Sequence, residues 1–393
     1  MSRTLGWSVY LACSWTWCIG MFLPLLLMRD GGAPFFWAFF IPNVLGAASV
    51  GWLLADRERS RRFAGSLRPV LLAFTAVTVG FHAFWLAWRF GVHIGAGRYD
   101  MPMGIVIGAS VVANAVAARR RVDWLPAVVT LFFTIAVGVC LLARPAAPPP
   151  GTLGFDLVGM AMVTVLGFGL CPYLDVTFLR ATQHAAHPRR AFTIGFFVIF
   201  AFIILIATRG RAVWSPGGAL LTVPDNLLNI AVGCHFGAQA TFTVMAHIAA
   251  LRRTNADGSI GERSARPPST AGFVVWPIVI GLALGSSVSW IPVSIGAAGL
   301  EPMGPSELVY RLFLGCYGLV FPAWMLLALG GRNPMSRRTL TVLFLTCLLA
   351  APFYWLGTIE RNEVWLIPGV AVVLLAGLLG RAGAGKPTAD GAP

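Results

Sequence analysis

His235, Gln239, Thr243 and His247 recur every fourth residue in the stretch NIAVGCHFGAQATFTVMAHIAAL. At 3.6 residues per turn they form one slowly drifting polar stripe along a helix. A stripe of this kind has no use against lipid, so it faces the protein interior. There it either bonds to neighbouring helices or walls a solute pathway, with His235 able to change charge near neutral pH. Asp175 is a second candidate. It follows VLGFGLCPYLD, where Gly167, Gly169 and Pro172 interrupt an apolar run. At membrane depth such a carboxylate pairs with a cationic solute or carries a proton; nearer the surface it caps a short helix. Glu307 precedes Arg311 by one helical turn, a spacing and order that favour an internal ion pair.

Enzyme chemistry is not indicated. The sequence holds neither GxSxG nor HExxH, and His184 and His187 lie three apart with no further ligands nearby. No metal site and no cofactor are expected. Asp56, Glu58 and Asp123 read as solvated loop charges. The seven cysteines all lie in apolar blocks and form no CxxC pair, so no disulfide framework is expected.

The elements that must position these residues follow from composition. Of 393 residues, 57% are hydrophobic and 11% charged, against roughly 25% charged in an ordinary soluble domain. So much apolar surface, arranged in long blocks, fits helices that satisfy their own backbone inside lipid. A crossing needs about 20 apolar residues. Twelve spans result: 5–28, 34–55, 67–89, 102–118, 124–143, 154–179 with an interruption, 191–208, 226–250, 271–290, 306–330, 339–358 and 363–380. The first is too long for the core of a cleavable signal and reads as a span. The formal net charge of +14 reflects arginines in short loops, such as Arg119, Arg120 and Arg121. With both termini in the cytosol, most of the 29 Lys and Arg fall on the inner side, as the positive-inside rule requires. This explains the basic balance without nucleic acid. The polar stretch 252–270 reads as a flexible cytosolic loop, and 144–152 (RPAAPPPGT) as a stiff linker. The pairs Gly104/Gly108 and Gly281/Gly285 suggest close helix crossings.

Two spans carry Gly/Pro interruptions. The first reads SWTWCIGMFLPLLLM, with Gly20 and Pro24; the sixth is the Asp175 span. Five spans apart, they cross in opposite directions, as the two halves of an inverted-repeat transporter require. Backbone groups at 18–20 and 167–171 (Cys18, Gly20, Gly167, Gly169, Cys171) are expected to hold the polar groups of a solute. Trp15, Trp17, Phe168 and Tyr173 are expected to close over its apolar part, with His235 and Gln239 on the facing wall.

The stretch GFGLCPYLD followed by LRATQHAAHPRRAFTIG resembles the sixth and seventh helices of the amino acid–polyamine–organocation (APC) superfamily. His187, Pro188, Arg189, Arg190 and Ala191 take the place of that superfamily's NPxRxxPxAI segment. The first span is similar more weakly. It carries Trp15 and Trp17 where closely spaced glycines are usual. Ala181, Thr182 and Gln183 stand where acidic residues are usual. The resemblance implies a five-plus-five inverted repeat, 5–143 and 154–330, with two extra C-terminal helices in 339–380. It also implies a permease for a small organic solute such as an amino acid or amine. Thr241 and Thr243 would then be ion-coupling hydroxyls, with sodium or a proton as the coupling ion. The expectation is a single all-α polytopic domain, 1–380, in the cell's inner membrane, with a disordered tail at 381–393. Its partners are the lipid bilayer and the solute, with no nucleic acid. A non-transporting membrane sensor or scaffold, and a membrane enzyme acting on a lipid-linked substrate, are the alternatives.

Overall fold

The computed structural model describes residues 3–16, 18–93, 100–120, 122–142, 151, 153–208, 226–256, 270–288, 291 and 303–382. Among these the chain is all-helical, with no strand. The first expected span is two helices, α1 (Arg3–Trp15) and α2 (Cys18–Asp30). Gly32 then turns the chain at φ 71° into α3 (Gly32–Leu53), a left-handed conformation that favours glycine. The charged stretch after α3, read from the sequence as a loop, is instead the helix α4 (Arg57–Ser66). Its start is set by Asp56, whose carboxylate accepts the Arg59 amide at 2.7 Å.

Beyond it come α5 (Arg68–His93), α6 (Asp100–Arg120) and α7 (Leu125–Leu142). The interrupted span is α8 (Phe155–Leu170), a 3-10 turn (Cys171–Leu174) and α9 (Val176–His184). The next consists of α10 (Pro188–Thr193), a π-helical stretch (Ile194–Phe200) and α11 (Ala201–Ala207). α12 (Asn226–Ala256) carries the polar stripe and takes in the first residues of the expected 252–270 loop. α13 is Thr270–Ser287. α14 (Pro305–Gly315) and α15 (Phe321–Leu329) flank a second π stretch, Cys316–Val320. α16 (Arg337–Tyr354) and α17 (Leu366–Ala382) close the chain. The linker 144–150, residues 257–269 and the tail from 383 lie outside the described residues.

Eight helical stretches are long and apolar enough to cross a membrane, and two shorter apolar ones lie at Pro102–Ala117 and Gly272–Ser287. This architecture fits an all-α membrane protein. Large apolar side chains stand on its outside, among them Phe132 and Val139 on α7 and Leu348 and Leu349 on α16. In water such a surface would drive association; against lipid it is the ordinary finish.

Contacts between helices give their relative directions. Ser8 lies on Gly195 and Gly20 on Ile204, so α1–α2 runs parallel to 188–207. Cys13 meets Gln239 while Tyr10 meets Phe242, so α12 runs antiparallel to α1. Thr75 meets His247 and Trp85 meets Phe236, so α12 also opposes α5. These directions are those of a chain that reverses at every span.

The glycine pairs differ in role. A Cβ at Gly281 would lie 2.0 Å from the Gly80 carbonyl, and one at Gly285 would lie 2.4 Å from that of Phe84. α5 and α13 therefore touch backbone to backbone. Gly104 and Gly108 have nothing within 4 Å of an added Cβ, so no close crossing occurs there. The GxxxG spacing is common to both, but only one pair finds a partner helix.

Candidate functional site

Asp175 stands in the 171–175 interruption with extended backbone, φ −81° and ψ 114°, as the N-cap of α9. Its Oδ1 accepts the Thr177 amide at 2.7 Å and the Thr177 hydroxyl at 2.6 Å. The residue is fully buried, and its Oδ2 has no hydrogen-bond partner. Cap and buried carboxylate are thus one residue doing both jobs. His247 Nε2 lies 3.7 Å from Asp175 Oδ1 and is itself without a partner, while His247 Nδ1 is 3.4 Å from the Thr75 hydroxyl on α5.

The rest of the α12 stripe is buried as well. Gln239 donates to the Cys13 carbonyl at 2.5 Å and to the Thr243 hydroxyl at 3.1 Å, leaving its Oε1 unpaired. His235 Nδ1 is 3.2 Å from the Thr134 hydroxyl of α7. Thr241 is buried too, but residues two apart on a helix point to different faces. Thr241 and Thr243 therefore do not converge on one ion.

In the first span α1 ends at Trp15 and α2 starts at Cys18. Cys18 and Gly20 belong to the first turn of α2, whose backbone N–H groups have no partner within the helix. Gly20 serves as the contact with Ile204 and Phe200. Trp17 lies outside the described residues. Trp15, at the end of α1, packs on Phe178 of α9 at 5.1 Å and donates its indole N–H to Asn43 Oδ1 at 2.6 Å. The two interruptions are thereby neighbours. Trp15→Phe removes that bond and leaves the buried Asn43 amide wholly unpaired. It is expected to cost about 1–3 kcal/mol in a denaturant titration; an unchanged curve refutes the bond.

The three described aromatic residues expected to close over a solute, Trp15, Phe168 and Tyr173, turn to different neighbours. Phe168 stands edge-on to Phe39. The Tyr173 hydroxyl bonds Ser49 at 2.7 Å and its ring faces Phe63 of α4. Packing against α3 and α4, which the interruption alone did not reveal, claims both rings.

Two cavities are lined in part by charged side chains. One, of about 90 Å³, is lined by Leu23, Leu27, Gly167, Phe168, Cys171 and Tyr317 and reaches Arg311. Gly167 and Cys171 both meet the Tyr317 carbonyl; the Cys171 thiol donates to it at 3.3 Å. Gly169 lies beside Gly46 of α3. Beyond this cavity sits an ion network that sequence reasoning saw only as the Glu307–Arg311 pair. Arg29 bonds Glu307 through both terminal nitrogens, at 2.6 and 2.9 Å, and Arg311 binds Asp30 and Glu307. Arg361 lies within 4.0 Å of Asp30 and 3.5 Å of Glu307. The second cavity, of about 410 Å³, is lined by Tyr10, Asn114, Arg119, Asp123, Arg180 and Phe242. There Asp123 is not a solvated loop charge. It holds the buried Arg180 guanidinium at 2.5 Å. The cavities share no lining residue.

The polar residues after α9's start also have a structural task. The Thr182 hydroxyl bonds Ser60 of α4 at 2.7 Å, and Gln183 donates to the same oxygen at 3.3 Å. Among the described residues no cluster of three or more His, Cys, Asp or Glu side chains could hold a metal ion. No family model matches the chain, and no curated protein matches it.

Proposed function

We propose that this chain is a secondary active transporter for a small organic solute such as an amino acid or amine. It crosses the cell's inner membrane twelve times with both termini in the cytosol, as a five-plus-five inverted repeat with α16 and α17 added. The observation that carries this reading is the interruption at 171–175. It sets a fully buried carboxylate with one free oxygen near the end of α1, beside the partnerless Nε2 of His247. Buried polar groups without partners are costly, and a fold that keeps several together keeps them for a ligand. The two cavities suit alternating access. They share no lining residue, and neither is lined by Trp15, Phe178 or Asp175, so a solute held between them would reach one face at a time.

The solute would be met by Asp175 and Gln239, with His235 a turn beyond. An amine suits the carboxylate best. The test is a thermal-shift screen of the detergent-purified protein with amines, amino acids, nucleobases and small carboxylates, each with and without sodium at two pH values. A ligand at 100 times its Kd stabilises the folded state by about 2.7 kcal/mol. A hit that is lost in Asp175→Asn or Gln239→Ala, and that enters proteoliposomes, supports the proposal. No hit and no uptake across the panel refutes it in favour of a sensor or a lipid-directed enzyme.

A further inference from the structure

Asp175 and His247 form a pair that the solute reading leaves half explained. They come from different elements, the 171–175 interruption and α12, and both side chains are fully buried. The free atoms, Asp175 Oδ2 and His247 Nε2, lie on the two groups separated by 3.7 Å. A fixed hydrogen bond would have closed that distance to about 3 Å or less. Every other polar group at the interruption is already engaged. Thr177 is bound to Asp175, Tyr173 is turned to Ser49, and Thr182 is turned to Ser60.

Charged neighbours do not neutralise the pair. Arg180 of α9 is taken by Asp123. On α4, Arg57, Glu58, Arg59, Arg61 and Arg62 are exposed, as are Arg189 and Arg190 on α10 and Arg3 on α1. α3 brings only the neutral Asn43, and Tyr10 and Cys13 of α1 face Phe242 and the Ala127 carbonyl. α5 brings Arg68 at its start and His82, which is bonded to the Thr78 carbonyl. α12 adds His235, three turns away.

We propose that Asp175 and His247 are the proton-coupling site of the transporter, sharing one exchangeable proton. This rests on the transporter reading above. With the proton bound, as carboxylic acid beside imidazole or carboxylate beside imidazolium, the pair is neutral. Without it the pair carries one negative charge in the membrane interior, which strongly favours occupation by a proton or a cationic solute. The proton comes from water on one side and returns to water on the other; only O–H or N–H bonds form and break. Sodium is the poorer occupant, because a hard cation prefers oxygen ligands and the open lone pair facing Asp175 belongs to an imidazole nitrogen. A cationic solute and the proton compete for one negative charge, and that links their movements.

Infrared difference spectra of the purified protein, titrated from about pH 5 to pH 8 where imidazole pairs exchange protons, test this directly. The expected result is a titrating carboxyl band that Asp175→Asn abolishes. His247→Gln should shift its midpoint by about one pH unit or more, a tenfold change in proton affinity. A band unchanged across the range, or one that His247→Gln leaves in place, overturns the proposal. In proteoliposomes holding a pH-sensitive dye, entry of the solute found by the screen should move protons the opposite way. A titrating band without solute movement would refute the transporter reading and leave the proton pair standing. Sodium-driven entry with no titrating band would refute the pair and leave the transporter.

Discussion

Arg311→Ala is expected to destabilise the protein by about 3–5 kcal/mol, the range for breaking a buried ion pair by removing one partner. Arg311 is nearly buried and binds Asp30, Glu307 and the Thr358 carbonyl, so it ties α2, α14 and the end of α16's π stretch (Trp355–Ile359) into one unit. Its removal leaves two buried carboxylates facing each other with Arg29 and Arg361 alone to balance them. Arg29→Ala should cost less, because its side chain is 25% exposed and water can replace part of what is lost. Melting curves of the purified variants, read with the double variant Arg311→Ala/Glu307→Ala, check this. The pair's coupling makes the double variant less destabilised than the sum of the singles. Equal and small losses for Arg29 and Arg311 would show the network to be a surface feature.

The second large effect is expected at Gly46. A Cβ there would stand 1.9 Å from the Phe168 carbonyl oxygen and 2.7 Å from its carbon, both backbone atoms that cannot swing aside. Gly46→Ala must therefore push α3 away from α8 just before the 171–175 interruption. Overpacking of this kind costs about 1–3 kcal/mol. Because Tyr173 is pinned to Ser49 one turn along α3, the displacement should carry into the turn that holds Asp175. Ligand-induced stabilisation should then fall along with the melting temperature. Gly104→Ala and Gly108→Ala are the matched controls. Both face open space, so each should gain about 0.8–1 kcal/mol from helix propensity. A Gly46→Ala protein as stable as the controls would refute the close approach of α3 and α8.

Much of the arrangement is legible in the residues, and its failures have identifiable causes. The described residues are all-helical, as long apolar blocks require, and eight helical stretches are long and apolar enough to cross a membrane. The sixth-span interruption was legible because Gly167, Gly169 and Pro172 lie within six residues. In the first span α2 starts at Cys18, and Gly20 within it is a contact with Ile204 and Phe200. α4 was missed because its charges resemble a loop, although Asp56 three residues before Arg59 carried a readable cap. The ion network was seen as one pair, because Arg29, Asp30 and Arg361 are remote from Glu307 in sequence. The same cause hid the Asp123–Arg180 bond.

Period and composition fixed what each helix is and which side of α12 turns inward. A four-residue polar repeat makes one stripe on any helix, whatever surrounds it. Which groups that stripe meets was decided only in three dimensions. His247 stands by Asp175, Gln239 reaches the Cys13 carbonyl, and Trp15, Phe168 and Tyr173 turn to three different neighbours. A side chain's partner depends on how helices far apart in sequence pack, and that packing is set by glycine contacts and buried charges summed over the whole bundle. No local spacing encodes that sum, so the sequence names the chemistry available and the tertiary structure selects which of it is brought together.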